Sequence, residues 1–370
     1  MDGLFRGLSK LIKITPVTND DIVFRLHRQL TVLILFAFSI IVTARQYIGD
    51  PIDCLPKSEI SSDLLDTYCW IHTTFSIESA WNKTIGTEVP YPGIDNSRGS
   101  DRVHHYYYQW VCFFLFIQAL LFYLPRFLWK SFENHRLSSI VMDLHSPILS
   151  HDERSRQIKI FINYFIAHLG YNGIFTFQYY FCQILCFANV VGQMWATDWF
   201  LNGEFSTYGW RVWFFTDQTD PGLRFDPMVK VFPTMTKCTF YKYGHSGDIE
   251  KFDTICILIV NILNQKLYFF LWNWFWFLSI ITGIWLAYRL IIVSWPQVRS
   301  LVIRGRSKMI KNDDDLKIVL RSISFADWFV LDLIATNVDS MNFKDIIKEL
   351  ALHFKPKRQQ LNQKTISTID

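Results

Sequence analysis

Residues Val103–Pro125 read VHHYYYQWVCFFLFIQALLFYLP, 23 consecutive positions without an Asp, Glu, Lys or Arg. A helix rises about 1.5 Å per residue, so about 20 apolar residues cross the roughly 30 Å hydrocarbon core of a bilayer. The stretch therefore predicts a membrane span. Three more charge-free windows lie along the chain: Gln29–Ala44 with 16 residues, Ile160–Thr197 with 38 and Leu267–Tyr288 with 22. The first is short by itself and reaches full length if Arg28 and Arg45 snorkel to the interfaces, or if part of it faces water. The 28 residues ahead of it carry a patterned helix of their own, so it reads as a span and not as a cleaved leader. Of 370 residues, 50% are apolar and 19% charged, below the roughly 25% charged of a soluble domain. That balance excludes a secreted enzyme, a nucleic-acid-binding domain and a disordered scaffold. The expected fold is an all-α membrane protein with four transmembrane helices, at 23–45, 105–126, 173–197 and 266–290.

Charge sets the expected orientation. Lys and Arg number 25 over the 144 residues of 1–28, 126–159 and 289–370, but 12 over the 127 residues of 45–102 and 198–266. Cations favour the cytoplasmic side, which puts both termini and the 127–172 loop inside and the 46–104 and 198–265 loops outside. The cysteines agree: Cys54 and Cys69 fall in the first outer loop, Cys238 and Cys256 in the second, and Cys112, Cys182 and Cys186 within spans. Four cysteines on the oxidising side read as two disulfides, with three pairings open. The sequon at Asn82 marks a possible glycosylation site that fits an outer loop.

Segment 1–22 opens with Leu4, Phe5, Leu8, Leu11 and Ile12 on one helical face and Arg6, Ser9, Lys10 and Lys13 elsewhere, an amphipathic pattern. Two readings stand, a helix in the membrane interface and a helix folded into a pore mouth. Tyr106, Tyr107, Tyr108 and Trp110 form an aromatic belt at the outer end of the second span. Pro125 kinks that helix or ends it, and an end is the plainer reading. Cys182, Cys186, Asn189 and Gln193 share a face of the third span, a small and polar stripe suited to helix packing. The fourth span, with Trp272, Trp274, Phe275 and Trp276, suits lipid contact. Residues 291–370 are expected to form a helical cytoplasmic domain with a frayed end, because Phe343, Ile346, Ile347, Leu350, Ala351 and Phe354 repeat at helical spacing. Arg299, Arg304, Arg306, Lys308 and Lys311 read as a positive flank more than as an anionic-lipid site.

Catalytic patterns do not emerge. No ionisable Asp, Glu, Lys or Arg lies within a window, as a pump or coupled carrier would need, and nucleotide-loop, HExxH and nucleophile motifs are not found. His104-His105 lacks a nearby carboxylate or cysteine, so it reads as a pair of interface histidines and not as a metal site. No enzyme activity, cofactor, metal or nucleic-acid partner is expected. A passive pore and an adhesion or scaffold protein docking through its outer loops are the two functions left.

Tyr107-Tyr108-Gln109-Trp110-Val111 matches the YYQWV signature of the innexins, and the likeness extends over Arg45–Cys54, Asp66–Trp70, Gly203–Gly209, Phe232-Pro233 and Lys237–Phe240. The chain resembles an arthropod innexin. Connexins share the topology but carry three cysteines per outer loop, so the two-plus-two count sides with innexins and the related pannexins. Ile259-Val260 stand where the family usually has Pro-Leu, Gln265 where it has Glu, and Asn273 where it has an aromatic. Such departures suit a divergent insect paralogue or an innexin homologue of an insect-associated virus.

The resemblance implies a ring of six or eight subunits around a wide pore, alone or with other innexins, lying among the lipids of the plasma membrane. Rings in adjacent cells would dock through the outer loops as a gap junction, and an undocked ring would act as a hemichannel. It implies disulfides Cys54–Cys256 and Cys69–Cys238, and an N-terminal helix folded into the cytoplasmic mouth. Asp2, Arg6, Lys10, Asp20 and Asp21 are then the candidate pore-lining charges.

Overall fold

The computed structural model describes residues 21–56, 60–96, 102–134, 136–141, 144, 151–215, 226–307 and 313–366. Four of its helices are long and apolar enough to cross a membrane. Helix α1, Ile22–Tyr47, is interrupted by a π-helical turn over Leu26–Thr31. After it come strand β1 (Asp53–Cys54), α2 (Ser62–His72), β2 (Thr74–Ile77), a 3-10 turn over Glu78–Asn82 and β3 (Arg102–His105). The second long helix, α3, spans Val111–Glu133, and the shorter α4 (Arg136–Val141) and α5 (His151–Ala167) follow. The third long helix is α6, Gly173–Phe200, trailed by α7 (Phe205–Phe214) and α8 (Pro227–Val231). Strands β4 (Met235–Tyr243) and β5 (Ile249–Ile257) form a hairpin that runs into the fourth long helix, α9 (Ile259–Ser294). Four helices complete the described residues: α10 (Pro296–Arg306), α11 (Asp313–Ser322), α12 (Phe325–Asn337) and α13 (Ser340–Ile366).

Several expected boundaries move. Helix α3 does not end at Pro125 but runs on to Glu133, with the proline inside it. The ring removes only the one N–H bond to a preceding carbonyl, and a helix held by its neighbours or by lipid tolerates that loss. At its other end the helix begins at Val111, because His105 belongs to β3 and Tyr107–Gln109 form a 3-10 turn. Helix α9 starts seven residues ahead of the expected 266, and its 36 residues rise about 54 Å, well beyond the hydrocarbon core. The N-terminal segment, with Asp2, Arg6, Lys10 and Asp20, lies outside the described residues.

The chain divides into two compact units, Leu30–Phe122 with Ala188–Ile280, and Met1–Gln29 with Tyr123–Phe187 and Ile281–Asp370. In the first, the two long loops share one antiparallel sheet of order β1-β5-β4-β2-β3. The sequence points to tied loops but not to a sheet. Its backbone is the nine-residue pairing of β4 with β5, from Met235 opposite Ile257 to Tyr243 opposite Ile249. First-loop strands flank the hairpin on both sides, β1 against β5 and β2 against β4.

The second unit has a helical core. Helix α13 buries Phe343, Ile346, Ile347, Leu350, Ala351 and Phe354, the face expected from their spacing. Helix α12 is buried nearly all round, Trp328 and Phe329 included, so it is the central helix of this core. Ile158, Phe161, Ile162 and Phe165 of α5 join the same cluster. Helix α5 is therefore part of this unit. Asp327 fixes the joint: it closes a capping box with Ser324 at the start of α12 and accepts a 2.7 Å hydrogen bond from Asn172 Nδ2.

Candidate functional site

Two disulfides weld the loops. Cys54 and Cys256 stand directly opposite each other on β1 and β5 and are bonded. Cys69, on the buried side of α2, is bonded to Cys238 of β4. These are the pairs that the family resemblance implies. The Sγ atoms of Cys54, Cys69 and Cys256 lie within 4.8 Å of one another, so the two bridges form one sulfur cluster toward the β1 edge of the sheet. Helix α2 is further held by Asp66, whose Oδ1 accepts the Cys54 N–H at 2.7 Å. Such bridges close long loops, and removing one from a domain of this kind typically costs about 2–5 kcal/mol.

The pentapeptide Tyr107–Val111 lies where the sheet passes into α3, and four of its residues face inward or bond. Tyr107 donates its hydroxyl to the Val231 carbonyl at 3.2 Å and accepts from Asn261 Nδ2 at 3.0 Å. The Tyr108 carbonyl accepts from Gln46 Nε2 at 2.7 Å, its ring wholly buried. Gln109 Nε2 donates to the Trp70 carbonyl. Val111 is buried, whereas Trp110 remains 59% exposed. The signature thus ties the first loop and the ends of α1 and α9 to the start of α3. It does not bring reacting groups together.

The stretch Gly203–Gly209 has a packing explanation as well. Gly203 adopts φ +83° after α6, a conformation that costs glycine nothing. A Cβ on Gly209 would enter the ring of Trp272, so only glycine lets α7 approach α9 this closely. Tyr208 donates to the Gln265 carbonyl at 2.8 Å and is fully buried.

His105 is buried in β3, its Nε2 2.8 Å from Ser76 Oγ. Burial, together with the charge of His104, pushes its pKa down to about 4. Among the described residues, no group of three or more His, Cys, Asp and Glu side chains gathers as metal ligands apart from the disulfide sulfurs. Asn82 is exposed at the end of its 3-10 turn, open to modification.

Asp21 is placed differently from the expectation of a free pore charge. Its Oδ2 accepts from Arg289 Nη2 at 2.5 Å, from the Tyr179 hydroxyl at 2.5 Å and from Gln183 Nε2 at 2.8 Å. Burial pushes the carboxyl up, but the Arg289 charge and the hydrogen bonds outweigh it and hold the pKa below the usual range. Neutralised in this way, Asp21 anchors the start of α1 to α6 and α9. Arg289, just past the charge-free window of the fourth span, was missed. Its flanking position resembles an ordinary interfacial cation, and its partner lies 268 positions away.

The spans also carry polar pairs. His27, in the π turn, is 2.8 Å from Thr282 Oγ1. Gln118 donates to Thr197 Oγ1 at 2.9 Å, joining α3 to α6. Cys182, Cys186 and Gln193 of the α6 stripe are buried, as helix packing requires.

Four long apolar helices and two loops joined by paired disulfides define a four-span membrane protein whose loops share one sheet. The innexin family model matches residues 20–354. Innexin shaking-B of Drosophila melanogaster is 46% identical over 95% of this chain and 94% of its own length. Innexin inx2 of the same fly is also 46% identical, covering 95% of each chain, and inx2 of Schistocerca americana is 45% identical over 95% of this chain and 98% of its own. This chain belongs to the innexin family, the subunits of gap-junction channels.

Proposed function

We propose that the chain assembles with copies of itself, or with other innexins, into a ring of six or eight subunits around a wide pore in the plasma membrane. Both termini lie in the cytoplasm and the disulfide-tied sheet lies outside, where it docks with an apposed ring. The conduit passes ions and small metabolites without catalysis or a bound cofactor, and an undocked ring serves as a hemichannel. The observation that carries this reading is the fusion of both loops into one cross-linked sheet beside four membrane-length helices, in a chain of the innexin family.

Selection rests on pore width and on fixed charge at the cytoplasmic mouth. Arg6 and Lys10, with Asp2 and Asp20, are the mouth charges proposed. Asp21, already paired with Arg289, is withdrawn from that set. The test is dual voltage clamp of paired cells expressing the chain, with Arg6 and Lys10 reversed to Glu in a second set. Junctional current, shifted toward cations by the reversal, is the expected result. Pairs that adhere without conducting would overturn the channel reading. Conduction with unchanged reversal potentials would remove the mouth assignment alone.

A further inference from the structure

Helix α7 carries three different surfaces. Phe205, Tyr208 and Gly209 are buried against neighbouring elements, whereas Arg211 is exposed and pairs with Glu204. Between them, Trp210, Trp213 and Phe214 stand at i, i+3 and i+4, which places them on one stripe. They are 53%, 59% and 65% exposed, and no charge interrupts them. An uncharged aromatic stripe on a water-facing loop would be a liability.

The place of α7 along α9 explains it. Tyr208 meets α9 at Gln265, the Trp272 Nε1 donates to the Ser206 carbonyl at 3.2 Å, and Trp213 Nε1 donates to Asn273 Oδ1 at 3.1 Å. The charge-free stretch of α9 opens at Leu267 and runs 22 residues to Tyr288, about one hydrocarbon thickness. The contacts from Gln265 to Asn273 thus bracket the end of the span next to the loops. Other spans present tryptophan where they meet the loop domain: Trp195 and Trp199 in the last turns of α6 are 73% and 74% exposed, and Trp110 precedes α3. Indole rings gather at the boundary between headgroups and acyl chains, where an apolar body and a polar N–H are both satisfied.

We propose that α7 is a membrane-interface anchor, its Trp210–Trp213–Phe214 stripe inserted at the headgroup and acyl boundary of the outer leaflet of the subunit's own bilayer. Asn273 supplies the acceptor that sets the Trp213 indole. The anchor fixes the height of the second loop above the bilayer and so the level at which the sheet is offered for docking. The proposal rests on the membrane topology given above.

The test uses purified full-length rings with an environment-sensitive NBD label at Phe214→Cys, or at Ser246→Cys, exposed in the turn between β4 and β5, as the water-facing comparison. Rings without an added cysteine correct for the buried Cys112, Cys182 and Cys186. In phosphatidylcholine vesicles, a spin label at carbon 5 of the acyl chain should quench the position-214 label at least about twofold more than one at carbon 12, as expected of an interfacial depth. Aqueous iodide should quench the position-246 label alone. Iodide quenching at 214 equal to that at 246 would overturn the anchor. So would a label at 214 that neither lipid nor iodide reaches and that cross-links to the next subunit, which would assign the stripe to a subunit interface. Junctional conductance of both variants is measured separately, so failure of the channel reading is distinguished from failure of the anchor.

Discussion

The carboxylate of Asp21 and the guanidinium of Arg289 form an ion pair at 2.5 Å, with Arg289 only 3% exposed. A buried pair contributes little beyond an apolar substitute, but removal of one partner strands the other. Asp21→Asn should therefore cost about 3–5 kcal/mol, read as a fall in the thermal unfolding temperature of the detergent-solubilised protein. The double variant Asp21→Asn with Arg289→Gln should recover part of the loss. Equal temperatures for single variant and wild type would show that Arg289 finds another counter-charge.

Acid should loosen the loop domain through His105. The imidazole is held neutral, with a pKa of about 4 in the fold against about 6.5 in an unfolded chain. Between those values the unfolded chain binds more protons, so stability falls as pH drops. The contribution is complete above about pH 6.5 and approaches a loss of roughly 3 kcal/mol near pH 4. Unfolding temperatures measured over this range should converge for wild type and His105→Gln at the acid end. Parallel curves would acquit His105.

Gly209→Ala should destabilise the contact of α7 with α9. The added methyl would enter the Trp272 ring, and forced overpacking of this kind costs about 1–3 kcal/mol. Trp272→Leu in the same chain should relieve it. A lone Gly209→Ala variant with wild-type surface delivery and unfolding temperature would show that Trp272 moves freely.

A missing cysteine should rearrange the bridges. In Cys238→Ser, the Cys69 thiol is left within 4.8 Å of both sulfurs of the neighbouring disulfide. Its thiolate can attack either one, forming a new S–S bond and releasing the other sulfur as thiolate. Peptide mapping should find Cys54–Cys69 or Cys69–Cys256 beside the native Cys54–Cys256 bridge. A purely native bridge with free Cys69 would show that the packing forbids the approach.

Ile259→Pro should be neutral or mildly stabilising. Ile259 is the first residue of α9, where the N–H has no acceptor within the helix and proline's fixed φ is already suitable. Unchanged junctional conductance is expected in paired cells. A large change would place Ile259 in the docking contact itself.

The spans and the α13 face were legible because lipid and a packed core both impose patterns that a single segment carries alone. Charge-free length announces the first, and Phe343, Ile346 and Leu350 announce the second. The sheet was not. Thr74–Ile77 alternates polar and apolar residues, but over four positions only, all of them buried, too short a run to stand out as a half-exposed strand, and β4 mixes Lys, Thr, Phe and Tyr without a clear period. Its strands pair across both loops, held by cysteines whose count was readable but whose partners were not separable by spacing. Tertiary pairs such as Asp21 with Arg289, or Gly209 with Trp272, leave no local mark at either end.

Helix α5 buries its apolar side against α12 and α13, elements that emerge from the ribosome more than 150 residues later. During synthesis Ile158, Phe161, Ile162 and Phe165 must wait, uncovered, until the third and fourth spans have been inserted and the chain end released. The helical unit is thus a late product of biogenesis, and a nascent chain stalled before residue 325 exposes a hydrophobic helix to chaperones and degradation. Non-local closure of this kind is slow. A stop codon in the tail upstream of Leu350 acts through the same helix, turning a peripheral truncation into a failure of folding and delivery.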